Sequence, residues 1–295
     1  MTMPQEKKRN RCGVADLHLH TIASDGTQTL SDLLTRAKAT GLSCIAITDH
    51  DVISEALSGR DDVLGGVETI TGVEIKATFG NVAGEILGYF VDPAAPRLRG
   101  LLEGLKRSRI ERMQQMVELC SAHTGAKIAF DDVRAIAAGN LGRPHLARIL
   151  IERGVVRSFD EAFGAWIGKG RPCYWPIDKP DYREVLQAVH EAGGTAALAH
   201  PCLMKVSNWD GFLDRLHEAG LDGLEVFYPY ADSNGVGRSL SIDPGRMQRL
   251  AEARGFLLTG GSDDHGPSST KESLGMIRVP YERVDALKSA LPTPL

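Results

Sequence analysis

The sequence predicts an α/β fold in which a parallel sheet is interrupted by a block made only of helices. Short apolar runs alternate with amphipathic stretches of about ten residues, which is typical of strand–helix units. Histidines and carboxylates follow the ends of several of these runs. Between about Pro96 and Arg171 only helical patterns occur. These three observations together favour a barrel-like sheet that carries a site at one end.

Short apolar runs predict the strands. In chain order they are Val14–Leu19, Cys44–Thr48, Val67–Val73, Glu85–Val91, Thr195–Ala199, Gly223–Phe227 and Phe256–Thr259. The run that begins at Glu85 has the pattern of an edge or hairpin strand. Helices are predicted at Leu30–Ala39, Tyr182–Ala192, Trp209–Ala219, Pro244–Arg254 and Glu282–Leu291. Before the first helix, Thr29 and Asp32 are spaced as a capping box, and Gly41 predicts where that helix stops.

The middle of the chain predicts a different architecture. Its helical patterns are Leu98–His123, Phe130–Ala138, Pro144–Arg153 and Phe159–Ile167. The first has Met113 and Met116 on its apolar side, which we interpret as core filler. We therefore expect a helical cap inserted at 97–176, between barrel parts at 14–96 and 177–295, after a flexible segment at 1–13.

Composition bounds the class of protein. The chain has 295 residues with Lys+Arg 34 and Asp+Glu 38, a net charge of −4, which argues against binding long nucleic acid through overall positive charge. Five cysteines, odd in number and without a CxxC pair, predict reduced thiols and a cytoplasmic protein. No apolar run is long enough for a membrane span, and the polar first residues do not resemble a signal peptide.

Potential metal ligands stand at five predicted strand ends. His18 and His20 are two residues apart on a strand, so both side chains point to the same face and can bind one ion. A single pair of this kind is often incidental, but the other strand ends repeat the pattern. They contribute His50, Glu74, His200, Asp263 and His265, with Asp25 in the loop after the first strand. Nearby aspartates are expected to orient ligands or cap helices: Asp16, Asp49, Asp51 and Asp264.

Five motifs in this order resemble the polymerase and histidinol phosphatase (PHP) family of metal-dependent phosphoesterases. They are DLHLHTIASDG, ITDHD, GVE, LAHP and GSDDH, and the resemblance covers about 14–92 and 183–280. It implies a distorted seven-stranded (β/α) barrel, similar to a TIM barrel, that holds two or three divalent ions. Mn²⁺ is favoured, and Zn²⁺, Fe²⁺ or Mg²⁺ are also compatible with mixed nitrogen and oxygen ligands.

The resemblance also implies how the ligands are shared. One ion would be held by His18, His20, Glu74 and Asp263, and a third by Asp25, His50 and His265. The second ion would take Glu74 as a bridge and His200. The family often supplies a further histidine to the second ion between the GVE and LAHP motifs. Here only His123 and His145 are available, and neither is at a predicted strand end.

Two motifs in the helical block narrow the resemblance. GRPHLARIL and GKGRPCYWP resemble the subgroup of 3′,5′-nucleoside bisphosphate phosphatases and 5′-3′ RNA exonucleases. Arg143 precedes a helix N-terminus, a favourable place for a phosphate. Lys169 and Arg171, in a Gly-rich loop, could hold another phosphate or be solvated surface charge. The other expected substrate-binding residues are His145, Lys169, Arg171 and Tyr228. With Phe227 and Tyr230, Tyr228 could stack on a base or simply pack the barrel.

The resulting hypothesis is a phosphoric monoester hydrolase that removes the 3′-phosphate from nucleoside 3′,5′-bisphosphates. Ions bridged by Glu74 would activate a water molecule, with Glu74, His200, Asp263 and His265 as the catalytic set. The alternatives are a 5′-3′ exoribonuclease acting on short RNA, a histidinol-phosphate phosphatase and a non-catalytic assembly module. We expect a small nucleotide as partner, with short RNA as the alternative, and neither a membrane nor an obligate protein partner.

Overall fold

The centre of the fold is a mixed sheet that nearly closes on itself. The computed structural model describes residues 13–137, 139–230, 240–267 and 269–291. Within them the sheet has nine strands, β1 to β9 in chain order. Their bounds are Val14–Leu19, Cys44–Ile47, Asp61–Leu64, Val67–Phe79, Val82–Tyr89, Thr195–Leu198, Gly223–Phe227, Leu257–Gly260 and Val279–Pro280.

The seven predicted strands form the ring. Neighbouring strands follow the order β8-β7-β6-β5-β4-β2-β1-β9, with β3 beside β4. The segment after β8 returns to β1, because the amide of Asp263 donates to the carbonyl of His18 at 2.9 Å and the amide of His20 donates to that of Asp264 at 3.0 Å. These contacts confirm the predicted distorted barrel. The sequence did not predict β3, which is mostly exposed, or β9, which has only two residues.

The ring is parallel except at one strand, which forms a hairpin with β4, one of the two interpretations given for the run that begins at Glu85. The β5 strand is antiparallel to both β4 and β6, whereas the β1–β2, β2–β4, β6–β7 and β7–β8 pairs are parallel. A tight turn at Gly80, whose φ is +64°, joins β4 to β5, and so short a connection permits only an antiparallel pair. The β4 strand also continues to Phe79, so Glu74 lies inside a strand and not at its end.

Helices surround the sheet and fill the insertion. Their bounds, α1 to α9, are Leu30–Ala39, Pro96–Thr124, Phe130–Ile136, Arg143–Glu152, Phe159–Glu161, Tyr182–Glu191, Trp209–Glu218, Pro244–Ala253 and Tyr281–Ser289. A π-helical segment continues α5 to Ile167. The capping box of α1 is present as predicted, and Gly41 follows that helix with φ +74°. None of the helices described is both long and apolar enough to span a bilayer.

The helices α2 to α5 have an apolar cluster of their own. Met113, Met116, Cys120, Leu146 and Leu150 are among its buried members, so the two methionines are core residues as predicted. The barrel helices instead pack on the sheet in separate clusters. That the block is a cap domain with boundaries at 97–176 stays a prediction. The predicted flexible segment at 1–13 lies outside the described residues, except for its last residue.

Candidate metal and phosphate site

The predicted metal ligands meet at one end of the barrel. His18 and His20 come from β1 and the turn after it, and Asp25 comes from the loop that follows. His50 follows β2 and Glu74 lies on β4. His200 follows β6, and Asp263 and His265 follow β8. These residues are His18, His20, Asp25, His50, Glu74, His200, Asp263 and His265. The structure therefore brings together all eight residues that the sequence motifs single out.

Glu74 lies among four imidazoles. Its Oε2 is 2.7 Å from Nδ1 of His50, 3.5 Å from Nε2 of His18 and 3.6 Å from Nε2 of His20. Its Oε1 is 3.1 Å from Nε2 of His200. The carboxylate is fully buried and thus has access to four ring nitrogens without exposure to bulk water. A carboxylate in this position has the geometry to bridge two cations.

Asp263 and Asp25 complete the opposite side of the cluster. Asp263 Oδ1 is 3.1 Å from Nε2 of His20, 3.6 Å from Nε2 of His18 and 3.5 Å from Nδ1 of His265. Asp25 Oδ1 is 3.5 Å from Nε2 of His265. Ring nitrogens and carboxylate oxygens therefore surround two adjoining spaces, one on each side of His20.

Several buried polar atoms of the cluster lack a hydrogen bond among the described residues. They are Nε2 of His18, both ring nitrogens of His20, and one carboxylate oxygen each of Asp25, Glu74 and Asp263. Leaving such atoms unpaired costs about 1–3 kcal/mol each, more for charged groups. Divalent cations would satisfy the three carboxylate oxygens and one ring nitrogen of each histidine. The mixture of imidazole and carboxylate ligands suits ions such as Mn²⁺ or Zn²⁺. The residues present therefore fit metal binding.

The protonation states favour metal binding at some ligands and oppose it at others. Although burial opposes it, nearby carboxylates raise the pKa of His18, His200 and His265, so these imidazoles must lose a proton to bind metal. Burial, together with His265 and His50 nearby, lowers the pKa of His20 to about 3, so its imidazole is neutral. Burial alone would raise the pKa of Glu74, but His50 and His18 hold it well below its ordinary value. The pKa of Asp263 is also held low, because Lys271 and His18 outweigh its burial. Neutral imidazoles and ionised carboxylates are the forms that bind metal.

Backbone strain is concentrated beside the cluster. Among the described residues, four that are not glycine have positive φ, and three of them adjoin the site: Asp51 at 53°, His200 at 29° and Asp263 at 54°. Such conformations cost about 1–3 kcal/mol each and persist where the surrounding structure enforces them. Here they direct His200 and Asp263 inward from the ends of β6 and β8.

Glu225 on β7 supports two ligands at once, and the sequence analysis did not single it out. Its Oε1 accepts from Nδ1 of His18 at 2.8 Å, and its Oε2 accepts from the amide of His200 at 2.7 Å. A hydrogen bond on Nδ1 orients the ring and leaves Nε2 facing the cluster. The available signal was a single acidic residue within the otherwise apolar strand Gly223–Phe227.

Three further charged residues reach the cluster and were also missed. Glu85 on β5 lies 3.3 Å from Nε2 of His200, and the Lys76 ammonium donates to Glu85 at 2.6 Å. The Lys271 ammonium donates to Oδ2 of Asp263. Tyr228, which was predicted to bind substrate, donates from its hydroxyl to the same oxygen at 2.8 Å. The rings of Tyr228 and His200 meet edge to face.

A cavity of about 450 Å³ joins this cluster to the helical block. On the barrel side it is lined by His50, Glu74, His200, Asp263 and His265, among others. On the helical side it is lined by the guanidinium-bearing residues Arg109, Arg112, Arg143 and Arg148 and by Phe159 and Phe163. The cavity thus has a metal-type ligand cluster on one side and a concentration of positive charge on the other.

Arg112 and Arg143 lie close enough to influence each other. Burial and the nearby Arg143 lower the pKa of Arg112 to about 10. Arg112 donates from Nε to the carbonyl of Trp175 at 2.9 Å, and among the described residues no carboxylate pairs with it. The Arg143 guanidinium lies over the ring of Phe163, 5.0 Å from its centroid. Two neighbouring guanidiniums facing a cavity favour an anion between them.

The other predicted substrate-binding residues are placed less favourably. His145 is buried, and its Nδ1 accepts from the amide of Gly142 at 3.0 Å, which caps the start of α4. Lys169 and Arg171 are exposed, and neither is among the described residues that line the cavity. A role for these three in substrate binding stays a prediction.

A buried ion pair connects the helical block to the ligand cluster. Arg109 on α2 donates to Oδ2 of Asp51 and to the carbonyl of Leu141. Asn140 donates from its amide to the carbonyls of His50 and Asp51, both at 3.0 Å. The backbone that carries His50 is thereby fixed from the side of the helical block.

The other three aspartates that were expected to orient ligands or cap helices are held by hydrogen bonds. Asp16 accepts from the amide and hydroxyl of Ser262, and Asp49 accepts from the hydroxyls of Thr21 and Ser24. Asp264 accepts from Gln28 and Arg36, among others. They hold the loops that carry His20, Asp25 and Asp263, as expected for residues that orient ligands.

Comparison with known proteins agrees with the geometry. The family model described as PHP domain matches residues 16–167. A phosphoribosyl 1,2-cyclic phosphate 1,2-diphosphodiesterase of Eggerthella lenta is 32% identical over 90% of this chain and 99% of its own. A 3′,5′-nucleoside bisphosphate phosphatase of Chromobacterium violaceum is 28% identical over 88% of this chain and 90% of its own. A 5′-3′ exoribonuclease of Haemophilus influenzae is 34% identical over 63% of this chain and 68% of its own.

Solved structures are similar over almost the whole chain. A proposed metal-dependent phosphoesterase from Bifidobacterium adolescentis superposes with a TM-score of 0.80 and 29% identity, over 95% of this chain and 96% of that one. These likenesses support a hydrolase that acts on phosphate esters and binds divalent metal, which is the chemistry that the ligand cluster suits.

Proposed function

Because this chain belongs to the PHP domain family, we propose that it is a metal-dependent phosphatase that removes the 3′-phosphate from nucleoside 3′,5′-bisphosphates. The observation that carries the proposal is the shared cavity, which has a metal-type cluster on one side and Arg112 and Arg143 on the other. A substrate with two phosphates matches both sides. The similarity to a bisphosphate phosphatase over 88% of this chain supports the same substrate class.

The residues of the cluster would hold the ions and present the scissile phosphate. Bound divalent ions supply a water of lowered pKa and neutralise charge on the phosphoryl oxygens. Glu74 would bridge two ions, with His18, His20 and Asp263 on one side and His200 on the other. Lys271 lines the same cavity, and although burial opposes it, Asp263 raises the pKa of its ammonium. Lys271 therefore stays protonated and can donate to a phosphoryl oxygen.

The helical side would hold the second phosphate. Arg143 and Arg112 supply N–H donors, and a phosphate between them would relieve the repulsion between their two charges. Phe163 and Phe159 line the same part of the cavity and would exclude water from the ligand. A volume of about 450 Å³ is within the range of small-molecule sites, which favours a nucleotide over a longer RNA.

The test is phosphate release from a panel of esters with Mn²⁺ or Mg²⁺ added. The panel contains nucleoside 3′,5′-bisphosphates, nucleoside 5′-monophosphates, 5′-phosphorylated oligonucleotides, a five-membered cyclic phosphodiester and an aryl phosphate. We expect the highest kcat/KM for the bisphosphates, with the 5′-monophosphate as product. A higher kcat/KM for oligonucleotides, with mononucleotides released from the 5′ end, would establish the exoribonuclease alternative instead.

A further inference from the structure

Glu85 occupies a place for which the sequence offered no ligand. It lies on β5, directly opposite Lys76 of β4, and faces the ligand cluster. In the part of the chain that the structure describes between Glu74 and His200, no histidine stands at a strand end where it could complete a cation site with those two residues. Because β5 is antiparallel to its neighbours, its first half lies at the end of the barrel where the parallel strands finish. Glu85 therefore reaches the site from the beginning of a strand.

The two oxygens of Glu85 face different groups. Oε1 accepts from the Lys76 ammonium at 2.6 Å. Oε2 lies 3.3 Å from Nε2 of His200, the nitrogen that is also 3.1 Å from Oε1 of Glu74. Asp263 has the same arrangement, since Lys271 binds one oxygen and imidazoles surround the other. An ammonium on one oxygen fixes the carboxylate and leaves the other oxygen directed at the cluster.

An independent observation indicates a cation here. Oε2 of Glu74 is fully buried and makes no hydrogen bond with described residues, although Nδ1 of His50 is only 2.7 Å away. The Nδ1 of His50 is in turn 3.9 Å from Oε1 of Glu85. One ligand atom each of His50, Glu74 and Glu85 lies within 4.8 Å of the others, which is close enough for the three residues to share a metal ion.

We propose that Glu85 is a ligand of a divalent cation that Glu74 and His200 also bind, and that Lys76 positions Glu85 for this role. The proposal rests on the metal dependence in the proposed function but not on the identity of the substrate. It adds a carboxylate ligand where the resemblance to the family suggested a histidine. The rival explanation is that Glu85 serves only as the ion-pair partner of Lys76.

The experiment counts bound ions without any substrate. Metal-free wild-type protein, Glu85→Gln and Glu68→Gln are dialysed against Mn²⁺, bound manganese is measured by mass spectrometry, and affinities come from calorimetry. Glu68 is the matched control, because it is a buried carboxylate on β4 that lies away from the cluster. It also accepts from an ammonium, that of Lys288. We expect Glu85→Gln to lose one ion or to bind it at least about 10-fold more weakly.

Glu68→Gln is expected to keep every ion. Lys76→Met removes the ammonium that positions Glu85 but keeps the carboxylate, so it should weaken binding of the same ion, but less than Glu85→Gln does. Equal ion counts and affinities in Glu85→Gln and wild type would overturn the proposal. Should Glu85→Gln not fold, wild-type crystals soaked in Mn²⁺ decide the question. An anomalous peak within about 2.6 Å of a Glu85 oxygen is expected, and the absence of such a peak would contradict the proposal. Failure of the phosphatase proposal would leave these counts unchanged.

Discussion

The barrel end and the helical block contribute to one cavity but differ in chemistry and construction. The barrel end collects imidazoles and carboxylates from residues as distant in sequence as His18 and His265. The helical block presents guanidiniums from α2 and α4, which pack on an apolar core of their own. The first region suits cations and the second suits an anion. The proposed function therefore assigns metal binding and recognition of the second phosphate to different regions, and each can be tested without the other.

Replacing Glu74 should have the largest effect and should act on the barrel side alone. Glu74→Gln removes the carboxylate charge among four imidazoles, so we expect bound metal to fall and kcat to drop by a factor on the order of 10³ or more. Every substrate should be affected equally. The measurements are phosphate release and metal content, with exposed Glu191→Gln as control. Wild-type kcat at full metal content would contradict the two-ion scheme.

Breaking the link between the two regions should lower stability. Arg109→Met leaves Asp51 as a buried charge without its guanidinium, and such losses cost about 3–5 kcal/mol. Thermal and denaturant unfolding measure this effect. Arg153→Met, which removes an exposed pair with Asp132, should change stability by about 1 kcal/mol or less. Equal stability of the two variants would show that the buried pair contributes no more than the exposed one.

Substitutions on the helical side should separate the two regions kinetically. Arg112→Met and Arg143→Ala should each raise KM for a nucleoside bisphosphate by about 30-fold, which corresponds to about 2 kcal/mol. An aryl phosphate has no second phosphate, so its KM should hardly change. Arg153→Met is again the control. Equal losses on both substrates would mean that these arginines do not bind the second phosphate.

The smallest effect is expected at Tyr228. Tyr228→Phe removes the hydroxyl that donates to Asp263 but keeps the ring beside His200. One hydrogen bond to a charged group contributes about 1.5–3 kcal/mol at most, and Lys271 still binds the same oxygen. We expect kcat to fall by less than about 10-fold at unchanged KM. A large rise in KM for nucleotides alone would instead show that the Tyr228 hydroxyl contacts the substrate. Tyr182→Phe, in the apolar core, is the control.

How much the sequence predicted depended on the element that carries each residue. His18, His20, His200 and Asp263 stand at the ends of parallel strands, where strand periodicity and topology determine which way a side chain points. Glu85 was not predicted because its strand runs the opposite way, so the residue reaches the site from the first half of the strand and not from its end. The direction of β5 follows from the turn at Gly80, which a single apolar run does not specify.

Arg112 was missed for a different reason. It lies in a helix with several basic residues, most of which are exposed, and helical periodicity does not reveal which of them faces a cavity. The motif around Arg143 was more informative because this residue begins a helix. Lys271 lies in an irregular segment, where neither period applies. Ligands on regular elements were therefore predictable, whereas the residues selected by tertiary packing were not.

The Asp51–Arg109 pair has a consequence for exchanging parts between relatives. Asp51 is adjacent to His50 in the barrel, whereas Arg109 and Asn140, which bind the same loop, belong to the inserted block. Consider a chimera that receives another helical block to change substrate preference. If that block lacked residues equivalent to Arg109 and Asn140, the buried carboxylate of Asp51, beside His50, would have no charged partner. Recombination is thus restricted to junctions that keep these three residues together.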